Sequence, residues 1–184
     1  MTIDLTADDR ITLLRLARGS IESRLGGIVL AQASWQGRLA EPSGAFVTLK
    51  SRAGNELRGC VGYVEPLYAL ADVVSRAAVA AAFSDARFDP VGAHELPQLS
   101  IGISVLGRLQ AIRPEAVEVG RHGLLIRCSS HSGLLLPQVA VEQGWGRESF
   151  LDHTCRKAGL PSGGWRRPEA EILAFTAVVF EEPG

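Results

Sequence analysis

Lysine is almost missing from this 184-residue chain: of its 19 basic residues only Lys50 and Lys157 are lysine, and the rest are arginine. The skew reads as a bias toward GC-rich codons, which points to a bacterium with a GC-rich genome. A formal net charge of -1 excludes bulk electrostatic binding to nucleic acid or to an anionic membrane. Nucleic acid is therefore not the expected partner, although Arg52, Arg58, Arg166 and Arg167 leave room for a local basic patch. Cysteine is scarce, and Cys60, Cys128 and Cys155 form an odd, widely spaced set with neither disulfide-framework nor zinc-finger spacing. No run of 18 apolar residues is present, so no membrane span is expected. The opening Met1-Thr2-Ile3-Asp4-Leu5 has neither a basic stretch nor an apolar signal core, and the expectation is a cytoplasmic protein.

What is present is an ordinary globular composition, 46% hydrophobic and 21% charged, enough for one sizeable core or two small subdomains. Its most unusual segment is Leu57-Arg58-Gly59-Cys60-Val61-Gly62, a cysteine between two glycines inside a run that otherwise reads as a strand. Alternation puts Arg58, Cys60 and Gly62 on one face and Leu57, Gly59 and Val61 on the other. Glycine weakens a strand interior, so the pair predicts a bulge or the close approach of another backbone or a ligand. At about 7 Å and an effective dielectric of about 20, the Arg58 charge is worth roughly 2 kcal/mol to a thiolate. That would draw a thiol pKa of about 8.5 toward neutrality, whereas burial would oppose it. These residues alone leave two readings open, a reactive thiol and a small side chain packed in a sheet.

Around this motif the pattern predicts a helix capped at Thr6 with Leu14, Ala17, Ile21 and Leu25 on one face and Gly26-Gly27 as its stop. A hairpin of 45–52 and 57–64 follows, then a helix opened by Pro66 with Leu67, Leu70, Val73, Val74, Ala77 and Ala81 inward. Further expectations are a long strand over 99–112, a strand over 122–130, an apolar run 134–136 after a Ser-His-Ser-Gly turn, helices from Pro137 and over 147–158, and a closing strand over 172–182. Hairpins mixed with helices, without regular βαβ spacing, predict an α+β fold with a mostly antiparallel sheet and covering helices.

Asp85-Ala86-Arg87-Phe88-Asp89 alternates charge around an aromatic ring. A turn with a local ion pair is the simple reading, and Arg87 is also a candidate ligand contact. His122, Cys128 and His131 fall within ten residues, yet a core cysteine with surface histidines accounts for them, so no metal site is assigned and His122 is kept as a candidate ligand or partner contact. His153 and Cys155 are about 200° apart on a helix and cannot share a ligand. The chain has no phosphate loop, dinucleotide fingerprint, zinc-protease helix or Gly-x-Ser-x-Gly elbow.

Taken in order, the Leu57–Gly62 motif, Ser84-Asp85-Ala86-Arg87-Phe88, Gly133-Leu134-Leu135-Leu136-Pro137-Gln138-Val139-Ala140, Gly144-Trp145, Phe150-Leu151 and Cys155-Arg156-Lys157-Ala158-Gly159-Leu160 resemble the AMMECR domain family over roughly Leu13 to Glu181. The His122-Gly123-Leu124 and His153-Thr154-Cys155 contexts are most similar to its bacterial branch, the AmmeMemoRadiSam system protein A. Val61 stands where the family usually shows isoleucine. The resemblance implies one AMMECR-type domain over 1–184 made of two interleaved subdomains with a cleft between them. It also implies a Memo-type protein and a radical S-adenosylmethionine protein as company. It does not deliver a reaction, and it leaves the cofactor open. Two functions follow as expectations. In the first the chain is an accessory or catalytic component of a redox or radical modification system, with Cys60 as nucleophile, redox thiol or soft ligand and Arg58 orienting an anionic group, beside Gly59 and Gly62. In the second it is a non-enzymatic protein-binding module in which the Arg58–Gly62 motif is structural.

Overall fold

The computed structural model describes residues 4–27 and 34–183. The chain divides into two compact units, one holding the described residues up to Leu106 together with those from Val178 on, the other Gly107–Ala177. Each contains a four-stranded sheet whose mapped strand pairs are antiparallel, and the α+β class follows directly.

In the first unit, helix α1 (Ala7–Gly26) starts at a reciprocal cap: the Thr6 hydroxyl accepts from the Asp9 N–H while the Asp9 carboxylate accepts from the Thr6 N–H. It ends on Gly27 in the left-handed region. Its buried stripe is Leu13, Ala17, Ser20 and Ile21, and Ser20 meets Ser75 of α2 (Leu70–Phe83) through a 2.8 Å hydroxyl contact. The buried alanines of α2 keep its backbone near the sheet formed, in order, by β2 (Leu57–Tyr63), β1 (Ala45–Ser51), β3 (Leu99–Leu106) and β8 (Ala177–Glu181). Val47, Leu49, Ile101 and Ile103 are fully buried, each stabilising the unit by about 1.5–3 kcal/mol relative to exposure. At the end of this sheet, Arg18 donates to both Glu182 carboxylate oxygens and to the Leu96 and Leu99 carbonyls, and the same carboxylate accepts from Arg52 and the Ile101 N–H.

The helix after Pro66 begins four residues later than the proline predicts. Ser43 N–H donates to the Tyr68 carbonyl and Leu70 N–H to the Glu41 carbonyl, so 68–70 is tied to 41–43 before the helix can start. Leu67, expected on the buried face, is 73% exposed.

The second unit's sheet runs β4 (Gln110–Ala111), β7 (Ala170–Phe175), β5 (Gly123–Cys128), β6 (His131–Leu135). Its core gathers Leu124, Ile126, Phe150, Leu151 and Cys155 under α4 (Arg147–Lys157), with the short α3 (Pro137–Glu142) beside β5. The long strand expected over 99–112 is two strands interrupted at Gly107, and the closing strand is two interrupted at Thr176. Gly107 donates its N–H to the Thr176 carbonyl, and a side chain there would strike the Thr176 hydroxyl. The expected Ser-His-Ser-Gly turn is a tighter one at Ser129-Ser130, with Ser129 at φ 54°, so that His131, Ser132 and Gly133 already belong to β6 and His131 stands opposite Cys128.

Candidate functional site

Strand β2 lies at the edge of its sheet, and the Cys60 motif occupies its middle. Gly59 faces α2: a Cβ there would overlap the Ala81 carbonyl oxygen, so the glycine is the condition for helix and strand to meet. Gly62 lies opposite Phe46, whose ring fills the place a side chain would take. The pairing register skips Arg58, because Leu49 stands opposite Gly59 and Lys50 opposite Leu57. Arg58 is therefore the extra residue of a bulge, as the glycine content suggested, and strict alternation does not pass through it.

That bulge changes what Arg58 can do for the thiol. Its guanidinium grips the Glu95 carboxylate, Nε to Oε1 at 2.5 Å and Nη2 to Oε2 at 3.1 Å. Its Nη1 is buried with no hydrogen-bond partner among the described residues. The Arg58 charge is thus largely committed to Glu95 rather than to Cys60.

Cys60 is half-buried, and the Thr48 hydroxyl across the ladder donates to its sulfur at 3.3 Å. Its peptide groups turn outward to a second pair. Cys60 N–H donates to Asp85 Oδ2 at 2.8 Å, and Arg87 Nη2 reaches the Cys60 carbonyl at 3.5 Å. Arg87 also forks onto Asp85, Nε to Oδ1 at 2.9 Å and Nη2 to Oδ2 at 2.7 Å. Side chains of a turn thereby satisfy the strand edge as a neighbouring strand would. The Arg87 hydrogen bonds, working against burial and helped by the Cys60 N–H, hold the Asp85 carboxyl well below the usual carboxylate range. Asp85 in turn raises Arg87 above its ordinary value despite burial, and the Cys60 sulfur adds a smaller push in the same direction. The arginine that reaches Cys60 by a hydrogen bond is Arg87, through the Cys60 carbonyl. The Phe88 ring carries both cations, with Arg58 Cζ at 5.8 Å and Arg87 Cζ at 5.4 Å from its centre.

Of the residues singled out from the sequence, Arg58, Gly59, Cys60, Gly62 and Arg87 therefore belong to one edge of one sheet. His122 belongs to the second unit. It precedes β5 instead of lying on it, in a turn where its Nδ1 accepts the Glu118 N–H at 3.1 Å, so it does not share a strand face with Cys128. Thr48, Phe46 and Glu95 escaped the sequence reading. Thr48 and Phe46 carry no signal until the β1–β2 register is known, and Glu95 lies 37 residues from Arg58. The other two cysteines are core residues, and burial pushes the Cys155 thiol up. Among the described residues no group of three or more His, Cys, Asp or Glu could hold a metal ion, and no helix is long and apolar enough to cross a membrane.

The site and fold can be set beside known proteins. Protein MK0488 of Methanopyrus kandleri is 44% identical over 187 aligned residues, covering 97% of this chain and 90% of the relative. Protein TK0174 of Thermococcus kodakarensis is 42% identical over 181 residues, covering 92% and 88%. The crystal structure of the uncharacterized protein PH0010 from Pyrococcus horikoshii superposes with a TM-score of 0.85 at 40% identity, covering 93% of this chain and 90% of that one. All three relatives are archaeal, and the bacterial origin expected from the arginine skew finds no support among them. The AMMECR1 family model matches residues 14–180, which include the whole Cys60 edge, and the chain belongs to the AMMECR1 family.

Proposed function

We propose that this AMMECR1-family chain is an accessory or catalytic component of a redox or radical modification system, the counterpart of the AmmeMemoRadiSam system protein A, working with a Memo-type protein and a radical S-adenosylmethionine protein. The observation that carries the reading is a half-buried cysteine whose sulfur is contacted by a hydroxyl, two residues along the strand from an arginine with a buried guanidinium nitrogen that lacks an acceptor. Docking of a substrate or partner segment would have to uncover Arg58 Nη1 for it to hold an anionic group, and Cys60 would act on that segment as nucleophile, redox thiol or soft ligand. Asp85 is a poor general base, with both oxygens accepting hydrogen bonds and its proton affinity depressed. This favours an accessory role over that of an independent hydrolase or transferase.

A second reading, a non-enzymatic protein-binding module, is supported by the glycines: Gly59 serves the α2 contact and Gly62 the Phe46 ring, so both have structural duties. One experiment separates the two. The chain is incubated anaerobically with a Memo-type protein, a radical S-adenosylmethionine protein and S-adenosylmethionine, and products are sought by mass spectrometry. The first reading predicts a product that Cys60→Ser abolishes; full product formation by Cys60→Ser would remove the thiol role and favour the binding module.

A further inference from the structure

The second unit holds a cavity of about 200 Å³ made independently of the Cys60 edge. Arg108, Arg121, His122, Gln110 and Thr176 line it, and no carboxylate side chain does. Arg108, next to Gly107, has no ion-pair partner among the described residues. Arg121 gives only Nη1 to Glu118, at 3.0 Å from each carboxylate oxygen. Because His122 Nδ1 accepts the Glu118 N–H, the ring proton of the neutral imidazole sits on Nε2, which is left as a donor. Glu118, the acid nearest in sequence, thus spends its backbone on orienting His122 and its carboxylate on Arg121.

The lining residues carry two guanidinium groups, on the exposed Arg108 and Arg121, with an imidazole, a hydroxyl and an amide, and no acid is among them, a composition suited to negative oxygen. Arginine forks suit the planar edge of a carboxylate or two oxygens of a phosphate. We propose that this cavity is a binding site for a small oxyanion, a phosphate or carboxylate group, with Arg108 supplying the charge and His122 Nε2–H a directed hydrogen bond.

The test is calorimetric titration of the intact chain at low ionic strength with inorganic phosphate and, separately, with malonate. Saturable one-to-one binding of either anion is expected, and whichever saturates identifies the oxyanion class. Arg108→Gln, which keeps length and polarity without the charge, is expected to weaken that binding about tenfold or more, and His122→Ala several-fold. Arg15→Ala, an exposed arginine of α1, should leave it unchanged. Thermal melts confirm that each variant is folded, and Arg108→Lys, expected to retain part of the affinity, stands in if Arg108→Gln is not. Failure of both anions to saturate below about 10 mM overturns the assignment, as does binding that Arg108→Gln and His122→Ala leave unaltered.

Discussion

The two units solve the same packing problem and then part in chemistry. In each, a helix near its C-terminal end settles on a glycine of an edge strand: the Ala81 carbonyl of α2 over Gly59 of β2, and the Lys157–Ala158 backbone at the end of α4 over Gly133 of β6. In each, a cysteine stands near that contact. Cys155 is fully buried beneath its helix, its thiol raised by the surrounding hydrocarbon. Cys60 is half-buried, with a hydroxyl on its sulfur and an aspartate–arginine pair on its peptide groups. A glycine beside a helix is therefore a packing device that recurs without thiol chemistry, and what sets the Cys60 edge apart is the polar frame around it.

The sharpest way to break the parallel is Gly59→Ala against Gly133→Ala. In both the new methyl would overlap backbone, which cannot swing aside as a side chain does, so each should cost about 3 kcal/mol or more in urea unfolding. A mild loss at either would show that one contact is loose. Gly62→Ala would meet the Phe46 ring and, at 2.6 Å, the Ala45 carbonyl oxygen, a shallower backbone overlap than at the other two glycines, and should cost about 2–3 kcal/mol.

Next in size is Asp85→Asn, expected to cost about 2 kcal/mol near neutrality because Arg87 and the Cys60 N–H lose their charged acceptor. The effect has a defined pH dependence. Asp85 has a lower proton affinity folded than unfolded, so its stabilisation is complete above an unfolded pKa of about 3.9 and fades as pH falls below it. Stability measured from pH 7 down to pH 3 should show wild type and Asp85→Asn converging only below about pH 4; a constant gap would contradict the assignment. Glu95→Gln, at a partly exposed pair, should cost about 1 kcal/mol while removing the constraint on Arg58.

How much of this was legible in the sequence varies with the range of the interaction. The α1 cap, the β1–β2 hairpin and the bulge near Gly59 are written within a few residues of themselves, and all three are present. The start of α2 is not, because the 41–43 segment overrides Pro66 through bonds spanning more than 20 residues. The breaks at Gly107 and Thr176 are likewise mutual. At the site, the Arg58–Gly62 motif stood out, but its supports did not. The charge expected of Arg58 is held by Glu95, while Arg87, readable as a local partner of Asp85, also reaches the Cys60 carbonyl. His122 drew notice for its distance from Cys128, whereas its surroundings turn on the Glu118 turn and on Arg108, which no spacing rule connects to it.

The most direct test of a framed, reachable Cys60 is competitive alkylation of the native protein at pH 8 with limiting iodoacetamide, followed by peptide mass spectrometry of Cys60, Cys128 and Cys155. Cys60 is expected to be modified at least about tenfold faster than either core cysteine, with Cys60→Ser abolishing the fast phase. Equal labelling of all three, or labelling of Cys60 only after unfolding, would contradict the account.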